Sequence, residues 1–196
     1  MITGIDISNN NKDFLKNKEI AANAFIFLKA SEGKTFKDKS FKSYMDMISK
    51  ENEMYGNYPF LGAYHFARPD NGNTPREELT NFLDAVGEHV ENLMIALDYE
   101  DKAHATGEKW ALEYLRLAQE MTGKPPFFYT SASYLNKYPT IAAEFPLWLA
   151  CYSQESRAGR YKKECDKAVI LQLTSNPLDI DIFKGNMIEM YQYCRG

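Results

Sequence analysis

Short apolar runs that alternate with helical segments are the feature that most restricts the fold of this chain. Between many of the runs lie segments with the hydrophobic period of a helix. Strands that alternate with helices form a mostly parallel sheet, and parallel strands place their C-terminal ends on one side. Seven runs are predicted strands: Ile2 to Ile7, Phe25 to Ala30, Phe60 to Phe66, Leu93 to Asp98, Pro126 to Tyr129, Leu147 to Cys151 and Val169 to Leu173.

Three helical segments are defined by their periodicity and their end signals. The segment SFKSYMDMISK has one apolar stripe, at spacings of three and four residues. The segment TPREELTNFLDAV begins with a capping box, in which Thr74 is the N-cap, Pro75 the first helical residue and Glu77 the third. The segment EKWALEYLRLAQEMTG is predicted to end at Gly123. Its apolar stripe consists of Trp110, Tyr114, Leu117 and Met121.

The composition fits one globular domain that covers residues 1–196. With 196 residues and 44% hydrophobic content, the chain can bury most of its apolar surface in a single core. Its net charge is −4, and Lys and Arg are scattered, which argues against nucleic-acid binding. No apolar stretch approaches the roughly 20 residues that span a bilayer. We expect a monomer that binds neither nucleic acid nor membrane.

The cysteines and histidines do not have the spacing of a metal site. The cysteines are odd in number and form no CxxC pair, so we expect reduced thiols in or near the core. They are Cys151, Cys165 and Cys194. His65 closes a strand, whereas His89 and His104 are predicted in a helix and a loop, without the spacing of metal ligands. We therefore expect no metal and no other cofactor, and a metal-dependent deacetylase or amidase is disfavoured.

Polar and aromatic side chains collect near the predicted strand ends. In an open sheet the first and last strands can lie far apart, whereas in a closed barrel they are neighbours and their loops line one pocket. A barrel would therefore make a single site of these residues. They are Asp6, Tyr64, Asp98, Glu100, Tyr129, Trp148 and Tyr152, together with Asp179 and Asp181 after the last of the seven runs.

The stretch ALDYED contains the most informative pair. Residues two apart on a strand share a face and lie about 6.6 Å apart, so Asp98 and Glu100 should point into one pocket while Tyr99 points away. Two partly buried carboxylates repel, and one then keeps a proton near neutral pH. Glycoside hydrolysis requires such a pair. A solvated turn at the strand end would also explain the triplet, but the surrounding acids and aromatic rings, on which sugars stack, favour a glycosidase.

Several motifs in order resemble the glycoside hydrolase family 25 lysozymes, the Chalaropsis-type muramidases of phage endolysins and bacterial autolysins. They are GIDISNN, FIFLKASEG, GAYHFARP, ALDYED, PLWLACY and LQLTSNPLDIDIF. The resemblance covers nearly the whole chain. It implies an irregular (β/α) TIM-like barrel with fewer helices in the C-terminal third. It also implies cleavage of the β-1,4 bond between N-acetylmuramic acid and N-acetylglucosamine in peptidoglycan.

The resemblance also implies roles for individual residues. Glu100 would be the general acid/base, Asp98 would orient the substrate N-acetyl group or stabilise a positive intermediate, and Asp6 and Asp179 would tune the electrostatics of the pocket. The substrate-binding residues would be Tyr64, Tyr129, Trp148, Tyr152, Gln172 and Asp181. The chain departs from the family pattern in Leu171-Gln172, where Trp-Gln is frequent, and in Asn9-Asn10-Asn11, where a Gln is expected.

Two aspects of function remain open at the level of sequence. The rival to an enzyme is a barrel that binds cell-wall glycan without cutting it, although only the enzyme needs both Asp98 and Glu100. The spacing of the two acids does not decide between retention and inversion, and we predict retention assisted by the substrate N-acetyl group.

The segment MITGIDIS begins a strand and lacks the pattern of a signal peptide. We expect synthesis in the cytoplasm and action on the cell wall after release.

Overall fold

The computed structural model describes residues 1–15 and 20–195 and has a closed eight-stranded barrel at its centre. Six parallel neighbours, in the order β2-β4-β5-β6-β7-β8, form most of the wall. β9 runs antiparallel to both β8 and β1, and β1 closes the barrel by parallel pairing with β2. The strands are β1 Ile2–Ile7, β2 Phe25–Glu32, β3 Phe36–Lys37, β4 Phe60–Phe66, β5 Met94–Asp98, β6 Phe127–Ser131, β7 Leu147–Ala150, β8 Ile170–Thr174 and β9 Asp179–Phe183.

The structure confirms the predicted irregular barrel and adds two strands to the seven runs. β3 is a short hairpin partner of β2, outside the barrel. β9 ends at Phe183, and Asp179 and Asp181 lie within it, not beyond the last strand. Its sequence DIDIF alternates polar and apolar residues, so it does not form a continuous apolar run.

Helices cover the outside of the barrel and become short in the C-terminal third. Thr74 and Glu77 form the predicted reciprocal capping box of α3, and Gly123 ends α4 in the left-handed conformation. None of the helices in the described ranges is long and apolar enough to cross a membrane. The helices are α1 Lys12–Leu15, α2 Phe41–Tyr55, α3 Pro75–Val86, α4 Glu108–Thr122, α5 Pro139–Glu144, α6 Gln154–Ala158, α7 Lys162–Lys167 and α8 Met187–Arg195.

The predicted apolar stripe of α4 is only partly correct. Trp110 and Tyr114 are buried, but Met121 is 53% exposed. The buried face of α4 also includes Ala111, Leu115 and Ala118. At 100° per residue Met121 lies between Trp110 and Tyr114 on this face, so its exposure comes from its position in the last turn of α4, which ends at Thr122.

Two apolar clusters hold the barrel together. The outer cluster lies between the barrel wall and the helices, and the interior cluster lies inside the barrel. The interior cluster contains Phe25, Phe27, Phe127, Trp148 and Phe183. Gly4 and Gly62 make room for the large rings, because a Cβ at either position would overlap the ring of Phe25 or Phe27, respectively. Met190 and Cys194 of α8 belong to the same cluster. All three cysteines are buried and unpaired, as predicted.

Candidate active site

A cavity of about 390 Å³ lies at the end of the barrel where the parallel strands have their C-terminal ends. Because β9 is antiparallel, it contributes its first residue to this end. The structure brings together every residue of the predicted site except Asp181. The cavity is lined by Asp6, Tyr64, Asp98, Glu100, Tyr129, Trp148, Tyr152, Gln172 and Asp179.

Asp98 and Glu100, the β5 carboxylates, occupy the positions that strand geometry predicts. Asp98 is the last residue of β5 and is 7% exposed, whereas Tyr99 is fully buried in the outer cluster. The Tyr99 amide donates to the Tyr129 carbonyl (3.0 Å) and its hydroxyl to the Gly107 carbonyl (2.9 Å). With Tyr99 held on the outer side, both carboxyl groups line the cavity.

The protonation of the β5 carboxylates is shifted towards the neutral acid. Burial, with repulsion from Asp101 and Asp179, raises the pKa of Glu100 to about 7. Burial and the charge of Glu100 raise the pKa of Asp98 well above its usual range. The cation of Lys29 opposes both shifts. Atom Oδ1 of Asp98 is buried without a hydrogen-bond partner, which adds to the cost of ionising this carboxyl.

A second acidic group, the seam carboxylates Asp6, Asp179 and Asp181, lies where β9 meets β1. Asp6 pairs with Asp179 in the strand register. Burial and the charge of Asp179 raise the pKa of Asp6 to about 8. Burial raises the pKa of Asp179 to about 6. Burial and the charge of Asp6 raise the pKa of Asp181 well above its usual range. Asp6 and Asp181 therefore hold protons near neutral pH, whereas Asp179 is mostly ionised there.

The structure does not support a direct substrate contact for Asp181. Its side chain is fully buried, and its Oδ1 accepts a hydrogen bond from Trp148 Nε1 at 2.8 Å. In the register of β9, Asp181 lies opposite Gly4, one step below the Asp6–Asp179 pair. The position next to the cavity belongs to Asp179, and Asp181 supports the ring of Trp148 from beneath.

Gln172 links the aromatic wall of the cavity to the seam. Its Oε1 accepts hydrogen bonds from the hydroxyls of Tyr129 (2.7 Å) and Tyr152 (2.9 Å), while its Nε2 donates to Asp6 Oδ2 (2.6 Å). Gln172 is 3% exposed, so little of its side chain is open to direct contact with a ligand, and its hydrogen bonds hold Tyr129, Tyr152 and Asp6 in place. The partners of its amide group assign which end is oxygen and which is nitrogen.

The aromatic side chains differ in how much surface they offer to a sugar. Trp148 lines the cavity but is 2% exposed, because it packs against Phe27 (ring centroids 4.6 Å apart) and Tyr129 (4.9 Å). Tyr64 meets Trp148 edge to face at 6.4 Å. Tyr152 is 50% exposed. The accessible stacking face therefore belongs to Tyr152, and Trp148 is mainly part of the cavity floor.

Lys29 lines the cavity with a positively charged side chain and was not predicted as a site residue from the sequence. Its Nζ donates to Glu32 Oε2 at 2.7 Å and lies 4.7 Å from the centroid of the Phe66 ring. Lys29 was detectable, because a charged residue within the apolar run FIFLKASEG lies in phase with the inward-facing Phe25 and Phe27. Other lining residues that were not predicted as site residues are Ser8, Asn10, Asn11, Phe66 and Ser175.

The histidines have structural surroundings. His65 is fully buried, with Nδ1 at 2.8 Å from Ser31 Oγ and Nε2 at 2.8 Å from Glu78 Oε2. Burial lowers the pKa of His65, so the ring is neutral. His89 and His104 both lie in 3₁₀ turns. Within residues 1–15 and 20–195, no group of three or more His, Cys, Asp or Glu side chains is arranged to hold a metal ion.

A TIM-like barrel with paired carboxylates at the C-terminal end of its strands defines a barrel glycoside hydrolase. Within this class the chain belongs to glycosyl hydrolases family 25, whose sequence pattern matches residues 5–182.

Similar proteins agree with this assignment. The uncharacterized protein YegX of Escherichia coli K12 is 27% identical in an alignment of 184 residues, and the match covers 88% of this chain and 63% of YegX. The chain thus spans less than two thirds of the length of that relative. A family GH25 lysozyme from Aspergillus fumigatus has 26% identity and a TM-score of 0.75, with 100% of this chain and 99% of the other covered. A family 25 glycosyl hydrolase from Bacillus anthracis shares the fold at 19% identity, with a TM-score of 0.74 and coverage of 99% and 94%.

Proposed function

We propose that the protein is a peptidoglycan hydrolase that cleaves the β-1,4 bond between N-acetylmuramic acid and N-acetylglucosamine. Membership of family 25 and the similarity to the Aspergillus fumigatus lysozyme support a lysozyme activity. The observation that carries the proposal is the joint position of Asp98 and Glu100 in one cavity, with a pKa of about 7 for Glu100.

Glu100 is the general acid/base in this proposal. With a pKa of about 7, a large fraction of Glu100 is protonated at neutral pH, and it can donate that proton to the leaving glycosidic oxygen. The anion that remains then removes a proton from the attacking water. A pKa close to the working pH suits a residue that must act first as acid and then as base.

Asp98 supports the positive charge that develops in the transition state. Asp98 lines the cavity, and its carboxylate can accept a hydrogen bond from the N–H of the substrate N-acetyl group, which makes the amide oxygen a better internal nucleophile. The two groups interact strongly, so a proton held by Glu100 allows Asp98 to ionise. We propose retention of configuration through this assistance. NMR of the first anomer released tests it, and an inverted first product would refute it.

The remaining cavity residues bind the sugar or adjust the charge around the β5 carboxylates. Tyr152 offers an exposed ring for stacking against a sugar face, and Tyr64 can donate a hydrogen bond near the scissile sugar. Asp6, with a pKa of about 8, holds a proton near neutral pH. Asp179, with a pKa of about 6, is mostly ionised there, and its negative charge helps Glu100 to keep its own proton.

Analysis of the products from purified peptidoglycan tests the proposed function. The sacculi are digested, the new reducing ends are reduced with borohydride, and the fragments are identified by mass spectrometry. We expect reduced muramic acid at every new end, and none with the Glu100→Gln variant. Reduced glucosamine would assign the cut to the other glycosidic bond. Binding to sacculi without new reducing ends would show a glycan-binding barrel instead of an enzyme.

A further inference from the structure

The residue after the proposed general acid has an unusual backbone. Asp101 has φ of 51°, and within residues 1–15 and 20–195 it is the only residue other than glycine with positive φ. Most side chains are strained in this left-handed region, which Asp and Asn tolerate better than others. Such outliers cluster at functional sites when the surrounding structure holds them in place.

The chain is fixed on both sides of Asp101. Before it, Tyr99 is buried and hydrogen bonded through its amide and its hydroxyl, and Glu100 is extended, with φ −140° and ψ −172°. After it, the Ala103 amide donates to the Glu100 carbonyl at 3.0 Å and begins a 3₁₀ turn. The change from strand to turn therefore occurs at Asp101.

We propose that Asp101 is a positioning residue for Glu100: its left-handed backbone directs the Glu100 carboxyl into the cavity, and its carboxylate favours the protonated form of that carboxyl. The inference rests on the proposed function only in so far as Glu100 is the acid. Asp101 touches no reacting atom in this account and acts through its neighbour.

The charges around Glu100 come from several parts of the barrel. Asp101 is the strongest charge that raises the pKa of Glu100, and Asp179 of β9 acts in the same direction. Lys29 of β2 and Arg68, which follows β4, lower it. Other titratable groups coupled to Glu100 are Asp6, Asp98, Tyr129 and Tyr152. Asp101 is exposed, so salt should screen its effect more than that of the buried acids.

Three substitutions of Asp101 separate the effect of its backbone conformation on Glu100 from the effect of its charge. Asp101→Asn keeps a residue that tolerates positive φ and removes the charge. Asp101→Gly keeps the backbone freedom and removes the whole side chain. Asp101→Ala removes the charge and also disfavours the left-handed conformation. Asp70→Asn is the matched control, because Asp70 is another exposed acid close to Arg68.

The first measurement is the pKa of Glu100 in the free protein, from carboxyl ¹³C NMR with the resonance assigned by its loss in Glu100→Gln. We expect Asp101→Asn and Asp101→Gly to lower this pKa by roughly half a unit to one unit at low salt, the size of a charge interaction over a few ångströms in water. We expect a smaller shift in 1 M salt and none in Asp70→Asn. An unchanged pKa in both variants would overturn the electrostatic part, whether or not peptidoglycan is cut.

The second measurement is the pH profile of kcat and KM for cell-wall cleavage. Because Glu100 must be protonated, Asp101→Asn and Asp101→Gly should move the alkaline limb to lower pH and leave the maximal kcat within about threefold. Asp101→Ala should lower the maximal kcat about tenfold or more, with little change in KM, because the acid is no longer aimed at the leaving oxygen. Equal maximal rates in the Ala and Gly variants would overturn the backbone part. A wild-type protein that cuts no peptidoglycan would refute the proposed function and leave the NMR result to decide.

Discussion

The two acidic groups of the cavity differ in how their charge is compensated. The β5 carboxylates have a cation beside them, since Lys29 opposes the rise in pKa at both Asp98 and Glu100. At the seam, the rise in the pKa of Asp6 is opposed by a hydrogen bond from Gln172, and the rise at Asp181 by one from Trp148. The comparison teaches that a buried carboxyl group can exchange its proton at the working pH, as Glu100 can, or keep it near neutral pH, as Asp6 does. We call the first a mobile proton and the second a resident proton. A nearby cation that brings the pKa close to the working pH favours catalysis, whereas burial beside other acids, which neutral donors offset only in part, keeps a proton on Asp6 and Asp181 near neutral pH.

The largest difference between the two groups should come from removing the mobile proton. Glu100→Gln keeps the shape of the side chain but cannot donate a proton, so we expect a loss of about 10²- to 10⁴-fold in cell-wall lysis. Circular dichroism should be unchanged, and the melting temperature should not fall, because Gln replaces a carboxyl whose raised pKa costs stability above about pH 4.5. Glu120→Gln, an exposed position on α4, is the matched control and should retain full activity. Lysis by Glu100→Gln within tenfold of the wild type would remove Glu100 from its assigned role.

Asp98→Asn should be the next most damaging change. The amide cannot provide the negative charge that stabilises the developing positive charge, so we expect kcat to fall about 10²-fold, as for the loss of one preorganised electrostatic contact. Binding of a tetrasaccharide fragment should change little, because Asp98 acts mainly in the transition state. Isothermal titration with Glu100→Gln as the binding-competent reference separates the two effects. A loss of binding as large as the loss of kcat would make Asp98 a simple substrate ligand.

At the seam, Asp6→Asn should affect stability more than turnover, and in a pH-dependent way. The pKa of Asp6 is about 8 in the folded protein and about 3.8 in the unfolded chain, so the folded state binds the extra proton between these values and loses stability as pH rises from about 4 to 8. The amide of Asn does not ionise in this pH range, so the variant lacks this loss of stability. The melting temperature of Asp6→Asn relative to wild type should therefore rise from pH 5 to pH 8.5, by roughly 2–4 °C for each kcal/mol of charge penalty avoided.

Asp179→Asn is the comparison for that measurement. Its pKa of about 6 predicts the same sign over a narrower window, complete near pH 6 instead of pH 8. If the difference in melting temperature between Asp6→Asn and wild type did not vary with pH, the resident proton at the seam would be excluded.

Lys29→Met should give the smallest effect, and one of opposite sign to Asp101→Asn. Without the cation the pKa of Glu100 rises, so the alkaline limb of the pH profile for kcat should move to higher pH by a fraction of a unit. Lys34→Met is the control, because Lys34 belongs to an exposed ion pair with Glu77. A shift to lower pH would show that Lys29 does not act on Glu100 as a simple charge.

The β5 carboxylates were predictable from sequence and the arrangement of the seam was not. Alternation along a strand places Asp98 and Glu100 on one face whatever the rest of the chain does. The burial of Asp181 depends on the direction of β9. Because the strand is antiparallel, its first residue, Asp179, lies next to the cavity and the residue two further on lies beneath it. The sequence alone does not show whether β9 runs parallel or antiparallel to its neighbours. The positive φ of Asp101 likewise results from fixed structure on both sides.

The closure of the barrel has a consequence for how the protein becomes active during folding. The hydrogen bond from Gln172 to Asp6 joins residues 166 positions apart, and β1 cannot pair with β9 until both have been synthesised. Contacts of such long sequence separation form slowly. We expect enzymatic activity to appear late in refolding, after the central parallel strands are protected from hydrogen exchange, and to be lost first on mild denaturation. Pulse-labelled exchange read at the amides of β5 and β9, alongside recovery of lysis, would show whether the two events are separated in time.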